Sequence, residues 1–547
     1  MNYLAAAFAI LCITGCQMKK EKADLLVLDA TIYTVDKDFS KQEAMAIRDG
    51  KILDTGSSAS MQEKYKAKKT ISLKGKFIYP GLNDAHAHFT GYGLSLNQVD
   101  LTGTRSAEDV VDRCMNFAED FSGTWITGRG WDQNDWEIKE FPGKEILDAA
   151  FPGTPVLLRR VDGHAAWANS KALEIAGITS ESSIEGGQVR MENGEPSGIL
   201  IDNAIDLVSS HIPPAGKEEV EAGLLKAQEN CFAVGLTSIS DAGLPGATVR
   251  LIQSMQESGS LKMRLDAWLE PSESNFLEFV EKGIIQTPSL RVGTVKLYAD
   301  GALGSRGAKM IKDYSDDPGN SGLYLTPPAD LEKYCKRALQ NGYQVATHCI
   351  GDEANRRVLQ IYASMLEEGN DNRWRIEHAQ VINPEDYSYF GTYNIIPSVQ
   401  TTHATSDMYW AEERIGAYRM PGAYSYHTLM SQLGWIPNGS DFPVESINPL
   451  YGFYAAVSRK DKEGFPPEGF RPEEALSREE ALKAMTIWAA KASFQEELKG
   501  SLEAGKVADF IVTSEDIMQI EEINIPKVSI EATYLDGKEV YNRSSID

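Results

Sequence analysis

Two histidines, His86 and His88, form the residue pattern in this chain that is best suited to metal chemistry. They end the segment 77–89, which reads Phe-Ile-Tyr-Pro-Gly-Leu-Asn-Asp-Ala-His-Ala-His-Phe. In a β-strand, side chains at positions i and i+2 point to the same face, so both imidazoles face one space. Two convergent imidazoles are half of a divalent-metal site. Because the chain has only 8 histidines in 547 residues, this pair predicts the first part of such a site.

More polar residues stand at the ends of apolar, strand-like runs. The runs end in Ala-Thr-His348, in Ile-Glu-His378 and in Gly-Ser-Asp441. Lys296 lies inside the otherwise apolar run 292–300, and a buried lysine is rare unless it is paired or chemically modified. Packing alone does not explain this set, which predicts a metal-dependent active site.

Alternating strands and helices predict the scaffold that holds these residues. Seven strand-like runs follow the strand of His86: 235–241, 263–269, 294–299, 344–348, 374–378, 395–400 and 435–440. Amphipathic helical stretches at 218–233, 329–341 and 355–368 separate several of them. Eight β/α units predict an α/β fold, a (β/α)8 TIM barrel whose chemistry sits at the carboxyl ends of the strands.

The rest of the chain predicts further units around this barrel. Residues 23–79 and 500–547 are both β-rich and punctuated by Asp-Gly turns, so they predict a small β-sandwich domain built from both termini. The barrel then covers 80–499. Within it, residues 101–214 are long, rich in Trp and Gly, and outside the repeat, so they are interpreted as an insertion after the first barrel strand.

The first residues predict export. The apolar run 4–13 is too short to span a bilayer permanently and fits a secretory signal. The residues Ile-Thr-Gly-Cys16 resemble a bacterial lipobox, so 1–16 are predicted to be a lipoprotein signal peptide, Cys16 the lipidation site and 17–22 a tether. No Lys or Arg precedes the run, which departs from the usual pattern. By resemblance to enterobacterial lipoprotein sorting, Gln17 in place of Asp after the cysteine favours the periplasmic face of the outer membrane, with the lipid as the membrane contact.

Charge and cysteine content exclude some classes of function. The net charge is −25, from 54 basic and 79 acidic residues, which argues against a nucleic-acid partner and favours a small-molecule substrate. The 6 cysteines form no Cys-x-x-Cys pair, which excludes a cysteine zinc knot and gives no disulfide framework.

Several motifs together resemble the amidohydrolase superfamily, and within it the YtcJ-like branch (amidohydrolase family 3) that includes N-substituted formamide deformylase. The resemblance covers nearly the whole chain after the signal. The matching segments are 80–88, 162–172, 296–306, 402–407, 439–445 and 500–509. They are specific for the family and much less specific for a substrate.

The resemblance implies a ligand set. His86, His88 and Asp441 would hold one divalent metal, and His348 and His378 would hold a second. Lys296, carboxylated by CO2, would bridge them, because a carbamate supplies anionic oxygens where an ammonium would repel two cations. If Lys296 is unmodified, a site with one ion remains. Zinc is the default metal, although other transition metals fit the same ligands.

The implied reaction is hydrolysis of an amide-type C–N bond in an N-acyl or N-formyl compound. A metal-bound water has its pKa lowered to about 7, so hydroxide is available to attack a polarised carbonyl carbon. Asp441 would accept the water's proton and pass it to the leaving nitrogen. The same scaffold acting on esters or cyclic amides, or isomerising its substrate, is one alternative. A non-catalytic lipoprotein that binds a metal or small ligand is another.

Other residues are candidates for contact with the substrate. His164, flanked by Arg159, Arg160 and Asp162, is a second catalytic candidate for the carbonyl oxygen or the leaving group. The predicted substrate-binding residues are His403, Asp300, Arg306 and Trp131. Because related enzymes are often dimers, a homodimer is a further hypothesis.

Overall fold

The protein is described by a computed structural model that covers residues 20–119 and 123–545. The predicted signal peptide with Cys16, and residues 17–19 of the predicted tether, lie outside the described residues. Among the residues that are described, no helix has the length and apolar character needed to cross a membrane.

Seven parallel strands form most of a barrel and confirm the predicted fold class. Each strand pairs with the next along the chain. Their bounds are Leu82–Ala87, Leu236–Leu244, Arg264–Leu269, Leu290–Tyr298, Gln344–Cys349, Arg375–His378 and Ile396–Ser398. A short strand, Ile285–Gln286, pairs antiparallel with the fourth. The apolar side chains of these strands and of the surrounding helices form one large buried cluster, so the carboxyl ends of the strands are held rigidly at one rim.

The eighth barrel position differs from its prediction. Residues 435–440 do not form a regular strand; Asn438 makes a single parallel bridge to Val399. The amide of Gly439 donates to the carbonyl of Val399 at 2.9 Å, and the amide of Asp441 donates to the carbonyl of His86 at 2.7 Å. A Cβ at Gly439 would lie 2.4 Å from the His86 nitrogen, so this close approach requires glycine. The barrel is therefore closed by a few hydrogen bonds that place Asp441 beside the first strand.

Strands from both ends of the chain form two sheets beside the barrel. One has four strands, in the order Lys51–Gly56, Ala44–Arg48, Glu21–Leu28 and Tyr65–Ser72. The other has six, in the order Lys538–Asn542, Ile530–Leu535, Phe510–Thr513, Phe77–Pro80, Thr31–Tyr33 and Lys41–Gln42. Apolar residues of both sheets share one buried cluster, which joins the two termini.

The segment after the first barrel strand builds its own sheet. Its order is Gly187–Glu192, Glu195–Asp202, Ala165–Ala168, Val156–Arg160, Ile126–Trp131 and Val99–Asp100. Separate hydrophobic clusters cover its two faces. We call residues 99–214 the insertion; they stand over the carboxyl rim of the barrel and supply one wall of its cavity.

The helices surround these sheets. The predicted helices 218–233 and 329–341 are found with ends shifted by one residue, whereas the predicted 355–368 begins at Asp352 and ends at Ala363. Within the described ranges, the α-helices are Ser58–Lys64, Phe89–Ser95, Ala107–Ala118, Glu145–Ala150, Ser170–Ala176, Ala204–Ser209, Lys217–Ala233, Gly246–Glu257, Glu273–Glu278, Pro328–Gln340, Asp352–Ala363, Ser388–Thr392, Thr401–Asp407, Ala411–Ile415, Tyr426–Leu433, Pro449–Ser458, Arg478–Ala484 and Ile487–Ala492.

Candidate metal centre

The first barrel strand positions the histidine pair. His86 lies in the strand Leu82–Ala87 and is fully buried, whereas His88 follows the strand and keeps 30% of its side chain exposed. The Nδ1 atom of His86 lies 2.5 Å from a Glu377 oxygen, and the Nδ1 atom of His88 lies 3.2 Å from the carbonyl of Ala242. Such contacts place the proton on Nδ1 and leave Nε2 free as a ligand atom.

Asp441 faces the free nitrogens of both histidines. Its Oδ1 atom lies 3.2 Å from His88 Nε2 and 3.5 Å from His86 Nε2. The ligand atoms of these three residues all lie within 4.8 Å of one another. Asp441 adopts a left-handed backbone with φ of 62°, and His378 does so with φ of 72°. Non-glycine residues adopt this conformation rarely, and it is found disproportionately at functional sites.

His348 and His378 complete a group of histidines at the rim. Their ring centroids are 4.5 Å apart, and the ring of His378 lies 5.1 Å from that of His86. Burial lowers the pKa of both residues well below the usual value, and the neighbouring imidazoles add to the effect. Both side chains are therefore neutral near pH 7, as metal-binding imidazoles must be.

Atoms without hydrogen-bond partners test whether these residues fit a metal. Among the described residues, Asp441 Oδ1, His378 Nδ1 and His403 Nε2 are buried and accept or donate no hydrogen bond. Unsatisfied buried polar atoms are costly and rare. The three unpaired atoms belong to one carboxylate and two imidazoles, which are groups that divalent cations bind, so the donor set fits a metal.

Lys296 lies in the same cluster. Its Nζ atom is 3.0 Å from His86 Nε2, and the side chain is fully buried. Burial lowers the pKa of Lys296 to about 8, although Glu377 and Asp441 oppose that change. A fraction of the side chain is thus the free amine at neutral pH.

A cavity of about 1890 Å³ opens above the cluster. The predicted residues that line it include His88, His164, Lys296, His348, His378, His403 and Asp441. The ring centroid of His164 lies 5.0 Å from that of His348, and His164 Nδ1 lies 2.7 Å from an Asp202 oxygen. His403 stacks on His378 at 5.7 Å. The structure thus brings His164 and His403 beside His348 and His378.

Three predicted substrate-binding residues do not line the cavity. Trp131 is fully buried in the hydrophobic core of the insertion, because its side chain packs between Trp136 and Trp167. Asp300 is buried and accepts hydrogen bonds from the amides of Lys309, Ile350 and Gly351, so it fixes a loop. Arg306 pairs with Asp316 at 2.9 Å. None of the three lines the cavity, although Asp300 Oδ1 lies 3.8 Å from His348 Nε2, and their contact with the substrate stays a prediction.

Sequence reasoning missed two carboxylates that hold the site residues. Glu377 contacts His86 and forms an ion pair with Arg375 at 2.6 Å. Burial would raise the pKa of Glu377, but Arg375 and His86 lower it to about 2. Asp202 orients His164. The sequence did indicate Glu377, because an acidic residue inside the short run Arg-Ile-Glu-His378 is unusual. Nothing in the sequence indicates Asp202, whose place beside His164 is set by the sheet of the insertion.

Comparisons with known proteins agree with this geometry. Residues 69–541 match the model of a family described as an amidohydrolase family. The chain is 36% identical to Protein LONG AFTER FAR-RED 3 of Arabidopsis thaliana, over 95% of this chain and 92% of that protein. It is 32% identical to YtcJ of Bacillus subtilis (94% and 98% covered). It is 25% identical to N-substituted formamide deformylase of Arthrobacter pascens (95% and 99% covered).

A solved structure supports the same assignment. The crystal structure of an uncharacterized metal-dependent hydrolase from Pyrococcus horikoshii superposes with a TM-score of 0.76 at 28% identity, covering 91% of this chain and 99% of that one. The barrel, the metal-binding residues and the full-length family match therefore lead to one conclusion. This chain belongs to the amidohydrolase family and is a metal-dependent hydrolase of carbon–nitrogen bonds.

Proposed function

We propose that the protein hydrolyses the amide-type C–N bond of an N-acyl or N-formyl compound with one or two divalent cations, zinc first among them. The observation that carries the proposal is the convergence of the ligand atoms of His86, His88 and Asp441 under a large cavity, with Asp441 Oδ1 lacking a hydrogen-bond partner. The relative that is named N-substituted formamide deformylase supports the formyl class of substrate.

His86, His88 and Asp441 would hold a divalent cation, which would act as a Lewis acid toward the carbonyl and lower the pKa of water. The protein's own residues handle the protons. In this proposal the Asp441 carboxylate accepts the proton of the attacking water and then donates it to the leaving nitrogen. Without that proton the nitrogen would be a poor leaving group, because its anion is strongly basic. The buried position of Asp441 beneath the cavity keeps bulk water from competing for that proton.

His164 is placed to orient the carbonyl group. Its Nδ1 atom is held by Asp202 at 2.7 Å, which leaves Nε2 for the substrate. Burial lowers the pKa of His164, but the Asp202 carboxylate outweighs burial and the net pKa is raised. An imidazole in this state donates a hydrogen bond to oxygen where negative charge develops.

Carboxylation of Lys296 is part of the proposal. The free amine attacks CO2, one proton leaves, and the carbamate carries one negative charge. The pKa of Lys296, lowered to about 8 by burial, supports this step because only the neutral amine reacts. The intact mass of the native protein, measured under conditions that keep carbamates intact, should show one additional CO2 that disappears in Lys296→Ala.

A substrate panel tests the function. The metal-loaded protein is assayed against matched N-formyl, N-acetyl, ester and lactam compounds. We expect turnover of an N-formyl or N-acyl amide, and its loss in His88→Ala. His427→Ala is the matched control, because His427 is an exposed histidine on the helix Tyr426–Leu433, away from the cavity. Turnover of esters alone, or equal activity in His88→Ala and His427→Ala, would contradict the proposal.

We also propose that Cys16 anchors the protein to the outer membrane as a lipoprotein, and that the protein acts as a homodimer. The run 4–16 supports the anchor. In the native host, Cys16→Ala should move the protein from the membrane fraction to the soluble fraction. Light scattering of the purified protein would measure its mass in solution and so test the homodimer.

A further inference from the structure

Two arginines of the insertion stand side by side on the wall of the cavity. Arg129 lies on the strand Ile126–Trp131 and Arg159 on the strand Val156–Arg160, and the two are directly paired in the parallel register. Paired residues on neighbouring strands point to the same face of a sheet. Both side chains line the cavity that contains His88 and Asp441.

In the described part of the chain, neither guanidinium forms an ion pair. Asp206 acts on Arg159, and Asp162 and Asp441 act on Arg129, only through their charges. Among the described residues, Arg159 makes no side-chain hydrogen bond and no ion pair, and Arg129 donates only to the carbonyl of Val161, at 2.8 Å. The Nε atom of Arg129 is buried without a partner. The next arginine along the chain, Arg160, is the opposite case, because it pairs with Asp132 and Asp162 and also donates to Gln133 at 2.9 Å.

The position of Arg129 links the pair to the reaction centre. Its Nη1 and Nη2 atoms lie against Gly163, where an added Cβ would meet them at 3.2 and 3.3 Å. Gly163 precedes His164, whose ring contacts His348. A group held by Arg129 would therefore sit within a few bonds of a carbonyl held at His164.

The electrostatics of this arrangement are unfavourable without a ligand. Like charges placed opposite each other on neighbouring strands destabilise a sheet, and burial and Arg159 together lower the pKa of Arg129 to about 10. Both side chains still carry a charge near pH 7. The chain has a net charge of −25, yet Asp162, whose charge raises the pKa of Arg129, forms its ion pair with Arg160. An anion would complete the balance of charge.

We propose that Arg129 and Arg159 form an anion-binding subsite that takes the carboxylate of an amide substrate, as in an N-acyl amino acid. The planar guanidinium groups match a carboxylate in two-pronged hydrogen bonds. The inference rests on the proposed function, since it names the substrate class of the same site. This subsite makes the enzyme prefer amides that carry a carboxylate over neutral amides.

Binding and turnover are measured with pairs of probes that differ only in this charge. The probes are N-formyl-, N-acetyl-, N-benzoyl- and N-phenylacetylglycine, each beside its neutral glycinamide, with the metal-loaded full chain. Binding is measured by calorimetry with an inactive Asp441→Asn background, and release of the acyl acid is measured with the active protein. The variants are Arg129→Gln, Arg159→Gln and Arg159→Lys. Lys139→Gln is the matched control, because it removes an exposed positive charge from the same cavity.

We expect at least one glycine derivative to bind about tenfold or more tightly than its glycinamide, the size of effect typical of charge-assisted hydrogen bonds. That preference should vanish in Arg129→Gln and Arg159→Gln, return in part in Arg159→Lys, and persist in Lys139→Gln. Because Arg159 has no partner to lose, its variant should keep the unfolding temperature of the wild type.

The two proposals fail in different ways. A carboxylate preference without turnover of any probe would support the subsite and count against the proposed hydrolysis of these amides. Turnover without a preference in any pair, or a preference that survives both glutamine variants, would overturn the subsite alone. Tighter binding of inorganic phosphate than of every carboxylate, lost in Arg159→Gln, would overturn the carboxylate assignment.

Discussion

The two ends of the barrel treat buried polar groups in opposite ways. At the amino ends of the strands, Arg264 pairs with Asp509 and Asp536, each at 2.6 Å, and Arg291 pairs with Asp266 at 3.0 Å. At the carboxyl ends, Asp441 and His378 each keep a buried atom without a partner. Charges that are paired with each other hold strands to the terminal sheets. The unpaired atoms at the carboxyl ends are available to a ligand that is not part of the chain.

This difference teaches which buried polar groups belong to function. Burial alone does not separate the two sets, because Arg264 and Asp441 are both almost fully buried. Their hydrogen bonds separate them, because Arg264 is bound to two carboxylates whereas Asp441 Oδ1 has no hydrogen-bond partner. Native proteins leave few buried polar atoms without partners. Mutations at the carboxyl end should therefore change chemistry, and mutations at the amino end should change stability.

The largest effect is expected for Asp441→Asn. An amide in place of the carboxylate cannot accept the water's proton, so kcat should fall about 10²- to 10⁴-fold, the usual contribution of a general acid or base. The measurement is kcat on the best substrate of the panel, beside metal content by elemental analysis. Normal turnover with the metal still bound would remove Asp441 from the proposed role and weaken the comparison between the two ends.

Arg264→Met should lower stability and leave the chemistry intact. Removing one partner of a buried ion pair leaves Asp509 uncompensated, which costs about 3–5 kcal/mol of the free energy of unfolding. Denaturant unfolding measures this change, and kcat should stay within about twofold of the wild type below the transition. Arg337→Met is the control: Arg337 also pairs with two carboxylates, Glu273 and Glu281, but at the surface, so its loss should cost under about 1 kcal/mol. Equal losses in both variants would break the comparison.

Glu377→Gln should lower the affinity for the metal by more than it lowers the stability of the barrel. Its carboxylate holds the Nδ1 proton of His86, and loss of such an outer partner typically costs about 10- to 100-fold in metal affinity. Competition with a chelator measures the affinity. Glu385→Gln is the matched control, because Glu385 is an exposed carboxylate that pairs with Arg356. An affinity equal to that of the wild type would show that His86 needs no such support.

Stability at the amino end should also depend on pH, through Lys499. Burial, aided by Arg264, lowers the pKa of Lys499 from 10.5 to about 7. Between these values the unfolded chain binds a proton that the folded chain lacks, so this group's contribution to stability rises with pH. The free energy of unfolding of the wild type relative to Lys499→Met should climb between about pH 7 and 10.5, by at most about 1.4 kcal/mol per pH unit, and stay flat below pH 7. A flat difference over the whole range would mean that Lys499 is not deprotonated on folding.

The sequence predicted the barrel and the cluster at its rim because both follow from local pattern. Apolar runs that end in His348, His378 and Asp441 place those side chains at one edge once the strands are parallel. The expected strand at 435–440 did not form, because one bridge and the close approach of Gly439 to His86 close the barrel there.

What the sequence could not supply is which way the side chains on the strands of the insertion face. Trp131 was expected in the cavity wall, but packing with Trp136 and Trp167 draws it into the core of the insertion. Arg159 and Arg160 are neighbours in the sequence, yet Arg160 is held by two carboxylates, whereas Arg159 forms no ion pair among the described residues. The pairing of Arg129 with Arg159 depends on strand register, which no single segment encodes.

Metal content of the purified protein tests the central claim most directly. The wild type and a variant with His86, His88 and Asp441 all replaced by alanine are loaded with zinc, freed of loosely bound ions and analysed for metal by elemental analysis. We predict one to two equivalents in the wild type, a loss of at least one equivalent in the variant, and hydrolysis only in the metal-loaded wild type. Equal metal in both proteins, or full activity after the metal is removed by a chelator, would contradict the assignment of this cluster as the catalytic metal centre.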